Sequence, residues 1–181
     1  MARHVLVLVV VVVAACGVEL GEPPNVPDSG DGKGDGTGSG GGPMALTATG
    51  FLTKIGTQYC DENFRCKADY PEGANAFSMA FGASKQDCYA GTSAYYQPQL
   101  VEQSITAKRV VFNPGAAQTC VAGITYPQSC SQYWQSAPQF PAACDTALLG
   151  TVGDGAACVS IFDCANLGSR CDADTKKCVA R

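Results

Sequence analysis

Ten cysteines lie between Cys60 and Cys178, and they constrain this chain more than any other feature. In an exported protein such a set pairs as disulfides. Five cross-links are expected, each contributing about 2–4 kcal/mol by restricting the unfolded chain. A domain stapled in this way needs less buried apolar surface than one held by its core alone. Whether the chain is exported is therefore the first question, and the N-terminus addresses it. Arg3 and His4 precede an unbroken apolar run from Val5 to Val13, followed by the small residues Ala14 and Ala15. That order is the pattern of a secretory signal peptide. From Val5 through Cys16 the apolar stretch would span roughly 18 Å as a helix, whereas a bilayer core needs about 30 Å. It is too short to cross a membrane.

Val13-Ala14-Ala15-Cys16 also reads as a bacterial lipobox, in which the cysteine becomes the first mature residue and is acylated. Parity supports this independently. The chain has eleven cysteines, and assigning Cys16 to lipid leaves ten that can pair completely. An unmodified Cys16 would leave an exposed thiol in a secreted protein, which is unusual. Two or more acyl chains hold a protein stably on a bilayer, where one is marginal. The expected lipid partner is thus the bilayer itself, through Cys16. Gly17 in place of Asp favours the outer membrane under the enteric sorting rule. The domain is expected to face the periplasm or the cell surface.

Composition then divides the chain. Residues 1–15 form the signal peptide and 16–43 a lipidated tether. Residues 17–43 hold ten Gly, four Pro and no aromatic residue, which suits a disordered spacer. Its r.m.s. span as a Gly-rich coil is roughly 30 Å. Five acids and one lysine make it the acidic part of the chain, while the rest is near neutral. Asp31 to Gly36 resembles the start of a calcium loop. Lys33 and Gly42 stand where such a loop wants ligands, so a polar spacer is the better reading. The domain carries no basic stripe, so nucleic-acid binding has no electrostatic footprint.

Residues 44–150 read as a helical domain. Leu52, Ile55, Tyr59 and Cys66 recur at helical spacing, with Phe51 and Phe64 beside them. Ser84-x-x-Asp87 is a capping-box pattern ahead of Cys88, Tyr89, Thr92, Tyr95 and Tyr96. Pro98 ends or kinks that helix, and Leu100, Val101 and Ile105 continue a second piece. Asn113-Pro114 opens a short helix through Cys120. Gln128 to Gln135 and Ala142 to Leu149 are expected as two more, and Val110 to Phe112 as a brief extended segment. Residues 151–181 differ: Cys158, Cys164, Cys171 and Cys178 fall among Asn, Gly and Asp. The expected fold class is mainly α, a small disulfide-stapled helical domain with a loop-rich, cysteine-knotted C-terminal tail.

Helix geometry limits the pairing. Cys60 and Cys66 on one helix stand about 9 Å apart along its axis, beyond the usual disulfide reach of about 7 Å. They should bridge to different neighbours. The four tail cysteines are expected to pair among themselves, leaving Cys60, Cys66, Cys88, Cys120, Cys130 and Cys144 for the helical part. Sequence does not fix the connectivity further.

Much chemistry is excluded. The sole histidine, His4, lies in the signal segment, so the mature chain lacks Ser-His-Asp and Cys-His catalysis and imidazole zinc sites. There is no C-x-x-C, P-loop, G-x-S-x-G or H-E-x-x-H. No cofactor and no metal site is expected. Carboxylate pairs need no histidine; Asp61, Glu62, Asp69, Glu72, Asp87 and Glu102 are the candidates, with solvated helix surface as the plainer reading. Tyr133 and Trp134 are candidate binding aromatics, as are Tyr95 and Tyr96, although aromatics at helical spacing more often belong to a core.

The run Tyr59-Cys60 to Cys66, the Asp87-Cys88 helix start, Val111-Phe112-Asn113-Pro114 to Cys120, and Gly150 to Cys178 resemble the cysteine-rich lipoproteins found in many copies in myxobacteria and their relatives. The resemblance spans nearly the whole mature chain. It implies an exported, disulfide-rich helical protein and brings no catalytic residues with it. Some members of that group carry adjacent cysteines where this chain has only Cys66. The leading functional expectation is an envelope-anchored binding, interaction or structural module with a protein or glycan partner. Two alternatives are a carboxylate-based hydrolase of envelope polysaccharide and a protease inhibitor.

Overall fold

The computed structural model describes residues 46–180. The signal segment, Cys16, the tether and the calcium-like stretch lie outside the described residues. The described chain is mainly α and disulfide-rich, as expected.

The first helix, α1 (Ala48–Arg65), is the spine. Thr47 caps it by accepting the N–H of Gly50 at 3.0 Å. Glu102 adds a carboxylate to the same end, accepting the N–H and the hydroxyl of Thr49, both at 3.0 Å. A negative group there offsets the free N–H groups and the positive end of the helix dipole. The apolar stripe of α1 buries Ala48, Phe51, Leu52 and Cys60. Two long helices, α3 (Lys85–Tyr96) and α5 (Pro114–Gly123), pack on it together with α4 (Pro98–Thr106). Phe51, Leu52, Val101, Ala117, Cys120 and Ala147 meet in the main core.

Local signals set the helix ends. Ser84 and Asp87 form the full capping box on α3: the Ser84 hydroxyl accepts the Asp87 N–H, and the Asp87 carboxylate accepts the Ser84 N–H. Gln97 then takes a left-handed conformation (φ 47°) and Pro98 starts α4 afresh. Asn113 caps α5 with Pro114 at its first position, and this helix runs on past Cys120 to Gly123. Hydrogen bonds to the charged form hold the Asp87 carboxyl below its ordinary value of 3.8, the Ser84 side chain contributing most. A lowered carboxyl adds stability above its unfolded value and loses it as pH falls through the folded value. Ser84→Ala is accordingly expected to cost about 1 kcal/mol at neutral pH. It should also flatten the acid side of a stability–pH curve below about pH 4, which urea titration across pH would read.

A second cluster forms where α1 ends. The short helix α2 (Gly73–Phe81) had no counterpart in the sequence reading. Its Phe77 is fully buried and meets Phe64 and Tyr70 edge-on, with ring centroids 5.1 and 5.6 Å apart. Trp134, from α6 (Cys130–Gln135), completes the cluster 4.9 Å from Tyr70.

The expected helix over Ala142 to Leu149 is corrected in part. Ala142–Thr146 is a 3-10 turn, and Leu148–Gly150 is a strand, β2, paired antiparallel with β1 (Val110–Phe112). The pairing to β1 outweighs any local helical tendency, since short apolar runs carry no decisive period. The tail holds β3 (Ser169–Cys171) and β4 (Cys178–Ala180), a small antiparallel ribbon. Residues 44–150 and 151–181 were expected as separate regions; Pro43–Arg181 forms one compact unit. Phe162 packs on the main core, and Val152 bridges Cys164 in parallel.

All ten expected cysteines are paired. Cys60 bonds Cys88, Cys66 bonds Cys130, and Cys120 bonds Cys144. In the tail Cys158 bonds Cys171 and Cys164 bonds Cys178. Cys60 and Cys66 thus bridge to different partners, and the tail cysteines pair among themselves.

Gly150 sits where the tail crosses β2. A Cβ there would meet the carbonyl oxygen of Cys164, and the carbonyl carbon and oxygen of Asp163 at 2.6 Å. These are backbone atoms and cannot rotate aside. Gly150→Ala is expected to cost about 1–3 kcal/mol by overpacking. Gly153→Ala, with nothing within 4 Å, is the matched control in thermal melts.

Candidate functional site

One stripe of α1 faces away from the core. Lys54, Gln58, Asp61 and Glu62 are spaced four, three and one apart, which puts them along one side of a helix. Opposite them stand Gln118, Val121 and Ala122 of α5, again at helical spacing. Leu46, Ile124 and Tyr126 complete the lining. The walls enclose an open trough of about 760 Å³. That volume falls within the range of small-molecule sites.

The two carboxylates of the trough are already engaged. Asp61 Oδ1 accepts from Lys85 Nζ at 2.6 Å and from the Tyr89 hydroxyl at 2.7 Å. The hydrogen bond from Lys85, then that from Tyr89, holds the Asp61 carboxyl below its ordinary value. Glu62 Oε2 accepts from Arg65, whose Nε and second guanidinium nitrogen both lie at 2.7 Å. Arg65 also reaches the Pro127 carbonyl at 3.2 Å. It thereby holds the chain just after Tyr126 against the end of α1. Burial raises the Tyr126 hydroxyl to about 12, with the charges of Glu62 and Tyr96 adding to it. At neutral pH that hydroxyl is protonated and can donate.

Beneath that lining one acceptor is not engaged. Gln58 Oε1 is buried and has no hydrogen-bond partner among the described residues. Buried polar atoms are nearly always paired, so such an acceptor calls for an explanation.

No family model, curated protein or solved structure matches this chain. What the trough holds has to follow from its own lining.

The sequence-derived candidates fall out differently. Tyr133 is buried, and its hydroxyl donates to Asn63 Oδ1 at 2.7 Å. Trp134 is half-buried and donates its Nε1–H to the Cys66 carbonyl at 2.8 Å. Both polar tips are spent inside the fold, so the pair is part of the core and not an exposed binding surface. Tyr95 is 54 % exposed but stacks edge-on with Tyr96. Of the six carboxylates, Asp61 and Glu62 line the trough. Asp87 and Glu102 cap helices, and Asp69 and Glu72 are exposed near α2. General acid catalysis wants a carboxyl raised toward neutrality, and Asp61 and Asp87 are shifted the opposite way.

Two further places are chemically suggestive. The sulfurs of Cys158, Cys164 and Cys178 lie within 4.8 Å of one another. Each is committed to a disulfide and is not a thiolate ligand. Leu167 is 95 % exposed at the tip of a turn closed by the Ser169 N–H on the Asn166 carbonyl at 2.9 Å. Asp154 braces both sides of that turn, accepting from Asn166 Nδ2 at 2.8 Å and from Ser169 Oγ at 2.5 Å. A closed turn differs from the extended loop that a protease inhibitor would present.

Lys54, Gln58, Gln118 and Tyr126 went unremarked in the sequence. Polar residues on helices read as solvent-facing, and only the packing of α5 on α1 turns them toward one another.

Proposed function

We propose that this protein is a bacterial envelope lipoprotein, acylated at Cys16, whose domain is a ligand-binding module. The observation that carries the anchor is the disulfide set. Five bonds use every cysteine from Cys60 to Cys178. Cys16 is the one of eleven with no cysteine left to pair with inside the chain. The apolar run and the small residues before it supply the rest of the lipobox pattern. The resemblance of its cysteine-flanked segments to myxobacterial lipoproteins supports the same reading. The outer membrane is the proposed location.

Binding is favoured over hydrolysis by the state of the carboxylates. Asp61 and Glu62 lie in the trough but each is paired with a cation, Asp61 with Lys85 and Glu62 with Arg65. Metabolic labelling with palmitate in the native host, followed by membrane fractionation, tests the anchor. The wild-type chain should carry label and sediment with outer membranes, and Cys16→Ser should do neither. Unlabelled wild-type protein in the soluble fraction would overturn the lipoprotein reading. Antibody labelling of intact against permeabilised cells then tells which side of the membrane the domain faces.

A further inference from the structure

We propose that the C-terminal tail is a thiol-triggered disulfide switch, in which its two bonds exchange partners without net oxidation or reduction. Two separate placements carry this. The sulfurs of Cys158, Cys164 and Cys178 lie within 4.8 Å of one another, although they belong to two different bonds. Among the described residues no other three cysteine sulfurs come so close. The antiparallel register of β3 and β4 also sets Cys171 directly opposite Cys178. Opposed residues in such a pair have Cα atoms about 4.5–5.5 Å apart, inside the range that a disulfide spans. Yet each is bonded elsewhere, Cys171 to Cys158 and Cys178 to Cys164. The tail therefore holds a second complete pairing within reach of the first: Cys158 with Cys164, and Cys171 with Cys178.

Exchange needs a thiolate to start it, and an external thiol supplies one. Cys158 and Cys178 are buried, whereas Cys164 and Cys171 are partly exposed. The incoming thiolate attacks Cys171 Sγ, forms a mixed disulfide there and expels the Cys158 thiolate. That thiolate attacks Cys164 Sγ; the Cys158–Cys164 bond forms and the Cys178 thiolate leaves. Cys178 then attacks Cys171 Sγ across the strands, closes Cys171–Cys178 and returns the external thiolate. Two disulfides enter and two remain, so the thiol acts as a catalyst. Entry at Cys164 runs through the Cys178 and Cys158 thiolates in turn and reaches the same product. The two pairings differ in topology. In the native one the loops 158–171 and 164–178 interlock. In the other the loops stand side by side, and 165–170 lies in neither. That stretch contains the exposed residues Leu167 and Arg170. A cut after Arg170 would then leave the chain end from Cys171 onward with no covalent link to the rest, a link that the native pairing keeps.

The test incubates the full chain in detergent with less than one equivalent of reduced glutathione at about pH 8, where an ordinary thiol is partly ionised. Acid quenching, maleimide capping of free thiols and tryptic mass mapping follow. Trypsin cuts after Arg170, Lys176 and Lys177. In the native pairing the peptides 171–176 and 178–181 each stay on the long peptide that carries Cys158 and Cys164. In the exchanged pairing they are joined to one another alone. That small joined pair should accumulate with time, and only when glutathione is present. Cys60–Cys88, Cys66–Cys130 and Cys120–Cys144 are the internal references and should not change. A second arm uses Cys171→Ser, which leaves Cys158 unpaired from the outset. Label should then appear on Cys178 as well as on Cys158, because the first internal exchange needs no added thiol. Absence of the joined pair, its formation in equal amount without glutathione, or scrambling of the three reference bonds alongside it would overturn the proposal. So would label confined to Cys158 in the variant.

Discussion

Replacing Cys66 and Cys130 together by alanine is expected to lower the unfolding free energy by about 4 kcal/mol. Their disulfide joins positions 64 residues apart, the longest closure in the domain. In the chain-entropy account the cost of opening a loop grows with the logarithm of its length. The same account gives about 3 kcal/mol for the Cys158–Cys171 bond, which spans only 13 residues. Cys66 is also fully buried, and its carbonyl accepts the Trp134 indole N–H. Loss of the bond should therefore loosen Trp134 and shift its fluorescence before global unfolding. Urea midpoints of the two double variants decide the point. A larger loss for the Cys158/Cys171 pair would show that the poorly cored tail, not loop length, sets the ranking.

Asp163→Ala should be nearly as damaging, at about 3 kcal/mol, the lower end for breaking a buried ion pair. The carboxylate is fully buried. Its Oδ2 accepts the N–H groups of Val159 and Ser160 at 2.9 and 3.3 Å and faces Arg109 Nε at 3.3 Å. Alanine would leave two amides without their acceptor and Arg109 without its counter-charge. Arg109 keeps a third of its side chain in solvent, and that exposure limits the penalty. Asp163→Asn preserves an acceptor for the amides and should lose roughly half as much. Equal losses for the two variants in urea titrations would assign the effect to charge alone. Arg109 lies just before β1 and Asp163 lies in the tail, so this pair ties the tail to the helical part.

The readable parts of the fold were those written in local chemistry. Ser84 with Asp87, and Asn113 with Pro114, announce helix starts because capping involves residues only a few positions apart. The separation of Cys60 from Cys66 follows from helix rise alone. The helix Gly73–Phe81 escaped because it is short, begins at a glycine and has no side-chain cap to announce it. Leu148 to Gly150 misled because its strand exists only through β1, more than thirty residues earlier. The trough was half legible. Asp61 and Glu62 stood out as charges. Gln58 and Gln118, sixty positions apart, meet only when two helices pack, and no local period encodes that.

The order in which the disulfides overlap has a consequence for durability. The loop closed by Cys60–Cys88 overlaps that of Cys66–Cys130, which overlaps that of Cys120–Cys144. A single peptide-bond cut anywhere from 60 to 144 therefore leaves every fragment covalently attached. The tail is closed in the same way from 158 to 178. Between Cys60 and Cys178 only the stretch from 145 to 157 is spanned by no bridge. Against proteases the bridged region from Cys60 to Cys178 is a chain of locked links with one open joint. A nick there would leave the segment from Cys158 onward joined to the helical part by noncovalent contacts, among them the Arg109–Asp163 ion pair and Phe162 on the main core.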